Sequence, residues 1–181
     1  MTAKRLGLLH ELVPKAIRVA VLVNPADATN TETTLRAVQE AARAIGLQIH
    51  VLNASTSPEI DAAFATLARE RLDALFVAPD NFFNSRGAQF LTLAARDRIP
   101  ATYGFREYVT AGGLMSWGAD VLAQFRQVGI YTGNILNGAK PADLPVVQAT
   151  KFEFVINLQT AKLLGIEVPE TLLATADEVI Q

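Results

Sequence analysis

The chain has 181 residues, of which 50% are hydrophobic and 19% are charged, enough apolar sequence for one domain with a sizeable buried core. Lys and Arg number 16 and Asp and Glu number 18, so the formal net charge is −2, and the two signs are interspersed along the chain. This balance argues against nucleic-acid binding and a polybasic membrane anchor, and the lack of cysteine excludes disulfides, thiolate catalysis and cysteine-ligated zinc.

The first part of the chain alternates between buried strands and amphipathic helices. Residues 17–23 (IRVAVLV) are apolar except for Arg18, and the run ends before Asn24, as expected of a strand covered on both faces. A helix is predicted from Asn30 to Gly46, because apolar side chains recur on one face between a capping residue and a helix-ending glycine. The alternation continues at residues 48–52, 57–67, 72–78, 87–97, 100–103, 113–117 and 120–138.

This repeated order of strand and helix predicts the fold class. Parallel strands are joined by right-handed crossovers, which place helices on both faces of the sheet. We therefore expect an α/β fold with a doubly wound parallel sheet, arranged as a three-layer α/β/α sandwich.

The last part of the chain is less regular and is punctuated by proline. Its predicted elements are a short strand, a short helix and a final helix at residues 152–156, 157–165 and 169–180. These elements are too few for a separate domain. We therefore divide the chain into an α/β lobe at residues 4–138 and a C-terminal extension at residues 139–181.

The sequence carries no recognisable catalytic, nucleotide or metal motif. After the first strand it reads NPADA, without the glycines of a dinucleotide or phosphate loop. His10 is predicted on the leading helix and His50 inside a strand, so neither is placed to serve a serine nucleophile or a metal. Asp80 and Glu107 could form an acid/base pair, but a helix cap and a solvated side chain fit them better. We expect no enzyme activity, catalytic residue, metal or cofactor.

The loops after the first, third and fourth predicted strands combine amide, carboxylate and aromatic side chains. In an open parallel sheet, ligands bind outside the carboxyl ends of the strands, where the strand order reverses. Aromatic walls with a few fixed polar groups are typical of small-molecule sites, so this mixture favours binding over catalysis. Tyr103 and Trp117 could instead be core residues at strand ends. The side chains at this predicted edge are Asn24, Asp27, Asn30, Asp80, Asn81, Phe82, Phe83, Tyr103, Phe105, Glu107, Tyr108 and Trp117.

Four segments carry a family pattern: residues 4–25 (KRLGLLHELVPKAIRVAVLVNP), 72–81 (LDALFVAPDN), 99–120 (IPATYGFREYVTAGGLMSWGAD) and 134–166 (NILNGAKPADLPVVQATKFEFVINLQTAKLLGI). The last is the most specific, because Leu-Pro-Val before a Phe-rich strand and Ile-Asn-x-x-Thr-Ala-Lys is not a generic α/β pattern. These segments resemble the ABC-transporter substrate-binding proteins of the family whose characterised members bind tryptophan or tyrosine. The resemblance covers nearly the whole chain but only the later part of such proteins.

The resemblance implies two α/β lobes of the type I periplasmic-binding fold, which close on a ligand like a hinged clamp. This chain would be the second lobe. The implied partners are a small-molecule ligand such as an amino acid, ABC permease subunits, and a first lobe that is missing from this chain. Residues 120–138 and the C-terminal extension would return towards that first lobe. In its absence, their apolar surface would be exposed or covered by a second copy of the chain. The full-length protein would be periplasmic or lipid-anchored outside the cytoplasm, and residues 1–7 do not form a secretory signal.

Carried over by position, the resemblance also implies a set of cleft residues. Asp80 or Glu107 would accept a hydrogen bond from a ligand ammonium group, and two amides would orient the ligand. An aromatic residue from the loops after the third and fourth strands would stack on the ligand side chain. The missing lobe, or amides at a helix N-terminus, would hold a ligand carboxylate. The implied residues are Asn24, Pro25, Asp80, Asn81, Phe82, Tyr103, Phe105 and Glu107.

Two other functions stay open at this point. The same clamp fold serves as the ligand-sensing domain of regulators and receptors, although the sequence shows no helix-turn-helix or basic patch. The chain could also be a small α/β enzyme with an unrecognised site.

Overall fold

The computed structural model, which describes residues 1–146 and 151–181, is built around one mostly parallel sheet. The strands in these residues are β1 (Arg18–Val23), β2 (Gln48–Asn53), β3 (Ala74–Val77), β4 (Ala101–Tyr103), β5 (Met115–Ala119), β6 (Phe152–Asn157) and β7 (Glu178–Ile180). The helices are α1 (Thr2–Leu12), α2 (Ala28–Ile45), α3 (Ser57–Arg69), α4 (Asn81–Ser85), α5 (Gly87–Asp97), α6 (Arg106–Thr110), α7 (Val121–Leu136), α8 (Leu158–Leu164) and α9 (Glu170–Thr175).

Several helices begin directly after a strand because a short polar side chain caps them. Asp27 accepts a hydrogen bond from the backbone N–H of Asn30, so α2 begins two residues before its predicted start. In the same way Asp80 caps α4, Asp120 caps α7 and Asn157 caps α8. An N-cap side chain satisfies one of the N–H groups that the first helical turn leaves unpaired. These caps fix where the chain turns at the end of a strand.

The sheet has the strand order β2-β1-β3-β4-β5-β6-β7. The first five strands are parallel, which confirms the predicted α/β fold class. One strand departs from the parallel arrangement, because β6 is antiparallel to β5. Ala119 pairs with Phe152, so the chain leaves the sheet and re-enters it at the same edge. A strand that re-enters at that edge must run in the opposite direction.

The sheet separates two apolar cores. Along β1, Val19, Val21 and Val23 contribute to the core shared with α1, α2, α8 and α9. The alternate residues Ala20 and Leu22 face the other core, shared with α3, α4 and α5. This alternation follows from the two-residue period of a strand and confirms that helices cover both faces.

The end of the chain differs from its predicted secondary structure. The prediction of a single helix over residues 169–180 was wrong, since α9 ends at Thr175 and residues 178–180 form β7 parallel to β6. The Asp177 side chain accepts a hydrogen bond from the Phe154 N–H at 2.7 Å, and the Asp177 N–H donates to the Phe154 carbonyl. Pairing with β6 therefore decides the conformation of this segment, which is too short to show a clear hydrophobic periodicity in the sequence.

Residues after 138 also contribute to the sheet, through β6 and β7. Phe154, Ile156, Ala161 and Leu172 are buried in the same core as β1 and α1. The predicted extension at residues 139–181 thus shares the core of the lobe at residues 4–138. That it also faces another lobe stays a prediction.

Helix α7 stands apart from both cores. None of its residues is buried, and large apolar side chains lie exposed along its whole length. These side chains, which we call the α7 stripe, are Leu122, Phe125, Val128, Ile135 and Leu136. Among the described residues, none of the helices combines the length and apolar character needed to cross a membrane.

Candidate functional site

The carboxyl ends of β1, β3, β4 and β5 meet at one edge of the sheet, which we call the carboxyl edge. The strand order reverses between β1 and β3, because β2 lies on one side of β1 and the later strands lie on the other. Two of the residues implied by the family resemblance meet at this point. The Asn24 side-chain amide donates a hydrogen bond to Asp80 Oδ2 at 3.1 Å, joining the loops after β1 and β3.

Asn24 connects three loops. Its Oδ1 accepts hydrogen bonds from the Ala26 N–H and the Ser55 hydroxyl, and its carbonyl accepts one from Thr31 Oγ1 at 2.7 Å. Both carboxylate oxygens of Asp80 also have hydrogen-bond partners. Oδ1 accepts from the Phe83 N–H, and Oδ2 accepts from the Asn24 side-chain amide. Both side chains are buried. They hold the loops after β1, β2 and β3 in one arrangement.

The other polar and apolar residues implied by the resemblance differ in exposure and in position. Pro25 and Asn81 are exposed, and Phe82 is half-buried with the Arg86 guanidinium 5.6 Å from its ring centroid. Glu107 lies exposed in the first turn of α6, where it lines a cavity of about 350 Å³ together with Gly87 and Tyr108. Its side chain forms no ion pair with the described residues.

Tyr103 and Phe105 lie at the end of β4 but differ in exposure. Tyr103 is buried in the core, stacks on Tyr108 with ring centroids 4.5 Å apart, and has its phenol pKa raised by that burial. The neighbouring Tyr108 hydroxyl donates a hydrogen bond to the Phe83 carbonyl at 2.9 Å. Phe105 is half-buried and begins α6. Only Phe105 of the two therefore presents surface at the carboxyl edge.

A cavity of about 290 Å³ opens at the carboxyl edge beside Phe105. Its walls include Pro79 after β3, Gly104 after β4, Trp117 on β5 and Arg5 on α1. Trp117 is held in place by stacking on Phe152, with ring centroids 5.0 Å apart. The walls thus come from three strand ends and the leading helix.

Sequence reasoning missed Arg5 and Gly104 as wall residues. A signal for Arg5 existed, because it shares a helical face with Leu9 and Leu12, at spacings of four and seven residues, and both leucines are buried. A charged residue on a buried apolar face indicates a specific partner. No sequence pattern marked Gly104, whose position depends on how β4 meets α1.

Comparison with known proteins identifies relatives of this chain in sequence and in fold. A family model described as ABC transporter substrate binding protein matches residues 1–180. A curated "Tyrosine-binding protein" of Clostridioides difficile (strain R20291) is 26% identical over 164 residues, which are 91% of this chain and 47% of that protein. The chain therefore spans about half the length of that relative.

Two solved structures share the fold over nearly all of this chain. The first is an ABC domain in complex with L-Trp from Streptococcus pneumonia, with a TM-score of 0.87, 26% identity, and coverage of 99% of this chain and 62% of that one. The second is a conserved domain protein from Vibrio cholerae, with a TM-score of 0.87, 27% identity, and coverage of 98% and 60%. The described fold corresponds to one lobe of a periplasmic-binding-protein fold. The match over residues 1–180 shows that this chain belongs to the ABC transporter substrate-binding protein family.

Proposed function

We propose that this chain is one lobe of the solute-binding component of an ABC importer, and that it binds an amino acid at the carboxyl edge. The observation that carries the proposal is the cavity beside Phe105 and Trp117, which opens at the carboxyl edge, the side of the sheet on which open α/β folds bind ligands. Its volume of about 290 Å³ is near the lower end of small-molecule sites, as expected of one half of an interlobe cleft.

An aromatic amino acid fits this cavity best. Phe105 and Trp117 supply flat apolar walls, and aromatic rings pair favourably in stacked or edge-to-face arrangements. The related pneumococcal structure is a complex with L-Trp, and the curated relative is a tyrosine-binding protein. We therefore infer that the ligand is tryptophan, tyrosine or a similar amino acid.

The residues implied by the family resemblance take distinct parts in this proposal. Asn24 and Asp80 fix the loops, since their side-chain groups already bind one another and nearby backbone or hydroxyl groups. Glu107, two residues beyond Phe105, lies outside the wall of this cavity. It is still the better acceptor for a ligand ammonium group of the two carboxylates, because it is exposed and is not used by an ion pair among the described residues. Phe105 stacks on the ligand, while Tyr103 supports the end of β4 from the core. Pro25, Asn81 and Phe82 form the rim.

A second lobe would close the cleft from above. The chain leaves the sheet after Ala119 and re-enters at Phe152, so α7 projects from the carboxyl edge. Asp120 and Lys151 mark the two crossing points and form an ion pair of 2.8 Å. The α7 stripe and parts of the extension at residues 139–181 would pack on that lobe, with the Asp120–Lys151 pair at the hinge.

This function requires binding and release without a chemical step. Closure of the two lobes would hide the ligand from water, and the closed form would present the ligand to the permease subunits. Such a protein acts outside the cytoplasm, where it meets the solute. No reacting side chain is needed, in agreement with the substrate-binding family to which the chain belongs.

Isothermal titration of the full-length protein with L-tryptophan, L-tyrosine and L-phenylalanine tests the proposal. Saturable binding with one site per chain is expected, together with weaker binding after Glu107→Gln. Glu40→Gln is the matched control, because Glu40 is an exposed carboxylate in the later turns of α2, at the end of that helix opposite the carboxyl edge. Absence of binding to every amino acid tested would reject the proposed function, and unchanged affinity in Glu107→Gln would reject the role of that residue.

A further inference from the structure

Arg5 is a buried cation whose partners within the fold are few. Its side chain comes from α1, and the residue is 3% exposed. Nη2 donates a hydrogen bond to the Val77 carbonyl at 2.7 Å, and the guanidinium carbon lies 3.9 Å from the centroid of the Phe76 ring. Among residues 1–146 and 151–181, no carboxylate lies within 4.0 Å of this guanidinium, and its buried Nε has no hydrogen-bond partner. Most of its donors are therefore unused by the described fold.

This arrangement leaves the Arg5 charge without an anion. A guanidinium carries five N–H donors, and buried polar groups in native proteins nearly always have partners. Burial lowers the pKa of Arg5 to about 9, so the group is still charged at neutral pH. A buried charge is costly unless an opposite charge and hydrogen bonds satisfy it. An anion that enters from outside the lobe would satisfy both needs.

The cavity at the carboxyl edge gives such an anion access to Arg5. Arg5 forms part of the same wall as Phe105 and Trp117, so a molecule stacked on those rings lies beside the guanidinium. Gly104 keeps this approach open, because a Cβ at that position would lie 3.0 Å from Arg5 Nη1. A side chain at residue 104 would therefore crowd the nitrogen that faces this wall.

We propose that Arg5 binds the carboxylate of the amino-acid ligand, with the ligand side chain against Phe105 and Trp117. This inference rests on the proposed function and names the group that anchors the ligand. Guanidinium and carboxylate groups match in shape and charge and form the strongest class of side-chain hydrogen bonds. It differs from the expectation from sequence, which left the carboxylate to the missing lobe or to backbone amides.

Titration of the full-length protein with L-tryptophan and L-tyrosine, and with the amides of both, tests the proposal. The amides keep the ammonium group and the ring but carry no negative charge. The wild type is expected to bind the acids about 10- to 100-fold more tightly than the amides, the effect of one charged hydrogen-bonding group. Arg5→Met should bring the ratio of acid affinity to amide affinity close to one, mainly by weakening the binding of the acids. Wild-type protein that binds acids and amides equally, or an unchanged ratio in Arg5→Met, would overturn the role of Arg5.

A second variant keeps the test decisive if Arg5→Met does not fold. Gly104→Ala leaves the guanidinium in place but crowds Nη1, so it should weaken the binding of the acids more than the binding of the amides. Gly7→Ala on α1 is the matched control, because a Cβ there would meet no atom within 4 Å. An equal loss of affinity for acids and amides in Gly104→Ala would count against carboxylate binding by Arg5. A wild type that binds no amino acid would reject the proposed function itself. A wild type that binds acids and amides equally would reject only the role of Arg5.

Discussion

At the residue scale, the carboxyl edge depends on a close approach of two backbones. Gly118 on β5 lies so near the loop after β4 that a Cβ there would be 1.8 Å from the Gly104 carbonyl oxygen. Gly104 in turn lies against Arg5. These two glycines let β4, β5 and α1 meet where the cavity opens, and a larger residue at either position would separate them.

We predict that Gly118→Ala lowers the free energy of unfolding by about 3 kcal/mol or more, because a backbone segment must move to admit the methyl group. Gly7→Ala is the control and should raise the free energy of unfolding by about 0.5–1 kcal/mol, as expected when alanine replaces glycine inside an unobstructed helix. Urea unfolding of both variants measures the difference. Equal stability of Gly118→Ala and the wild type would contradict the close approach.

At the element scale, α7 is the part of the lobe that its own cores do not explain. Phe125 and Leu136 are 68% and 81% exposed, far more than a helix of a self-contained domain shows on its apolar face. Exposed apolar stripes of this kind mark interaction surfaces. In the proposed function the α7 stripe is covered by another lobe.

We predict that the 181-residue chain alone self-associates through this stripe. Sedimentation velocity should show a mass that rises with protein concentration, and Phe125→Glu should shift the chain towards monomer, because a buried unpaired carboxylate opposes association. Asn134→Glu adds the same charge to a polar exposed position of α7 and should change little. A wild-type chain that remains monomeric at all concentrations would show that the α7 stripe does not drive association.

The ion pair at the base of α7 makes a pH-dependent contribution. The Lys151 ammonium group, 2.8 Å away, and the Ala123 N–H hold the pKa of the Asp120 carboxyl below its usual range. Because the folded-state pKa is depressed, the stabilisation is complete above the unfolded value of about 4 and is lost as pH falls through the folded value.

We therefore predict that Asp120→Asn unfolds at a lower temperature than the wild type at pH 7 and that this gap closes below about pH 4. Asparagine keeps the capping oxygen, so the comparison isolates the charge. Asp143→Asn is the control, since Asp143 is exposed and forms no ion pair with the described residues. Thermal unfolding at several pH values measures the gap, and a gap that does not change with pH would exclude an ionic contribution.

At the scale of the whole molecule, the tail and the lobe form one sheet. β6 pairs with β5 along five residue positions, and Phe154, Ile156 and Leu172 are buried in the core with β1 and α1. Burying three large apolar side chains contributes about 5–9 kcal/mol, which is comparable to the total stability of a domain.

We predict that a chain ending at residue 138 does not unfold cooperatively, because it loses those side chains and exposes β5 as a new edge. A chain ending at residue 177 is the control. It lacks only β7 and the terminal residue, and it should still show one cooperative transition. Circular dichroism during urea unfolding distinguishes the two. A cooperative transition in the shorter chain would show that residues 139–181 are dispensable for the lobe.

Local patterns in the sequence predict most of this fold. The mostly apolar run at residues 17–23 corresponds to β1, and the amphipathic run ending at Gly46 corresponds to α2. A buried strand and an amphipathic helix of these lengths each have a clear hydrophobic pattern in the sequence. Predictions failed where a short segment takes its conformation from a distant neighbour. β7 exists because it pairs with β6, and β6 is antiparallel because the chain re-enters at the carboxyl edge.

For the site, the sequence by itself determined which loops lie at the carboxyl edge, because strand and helix order fixes the direction of each parallel strand. It also determined the family through its motifs. Only the tertiary structure decided what each side chain does there: Asn24 and Asp80 bind one another, Tyr103 is inside the core, and Arg5 reaches the cavity. The physical reason is that backbone direction follows from local sequence, whereas the partner of a buried polar group comes from residues far along the chain.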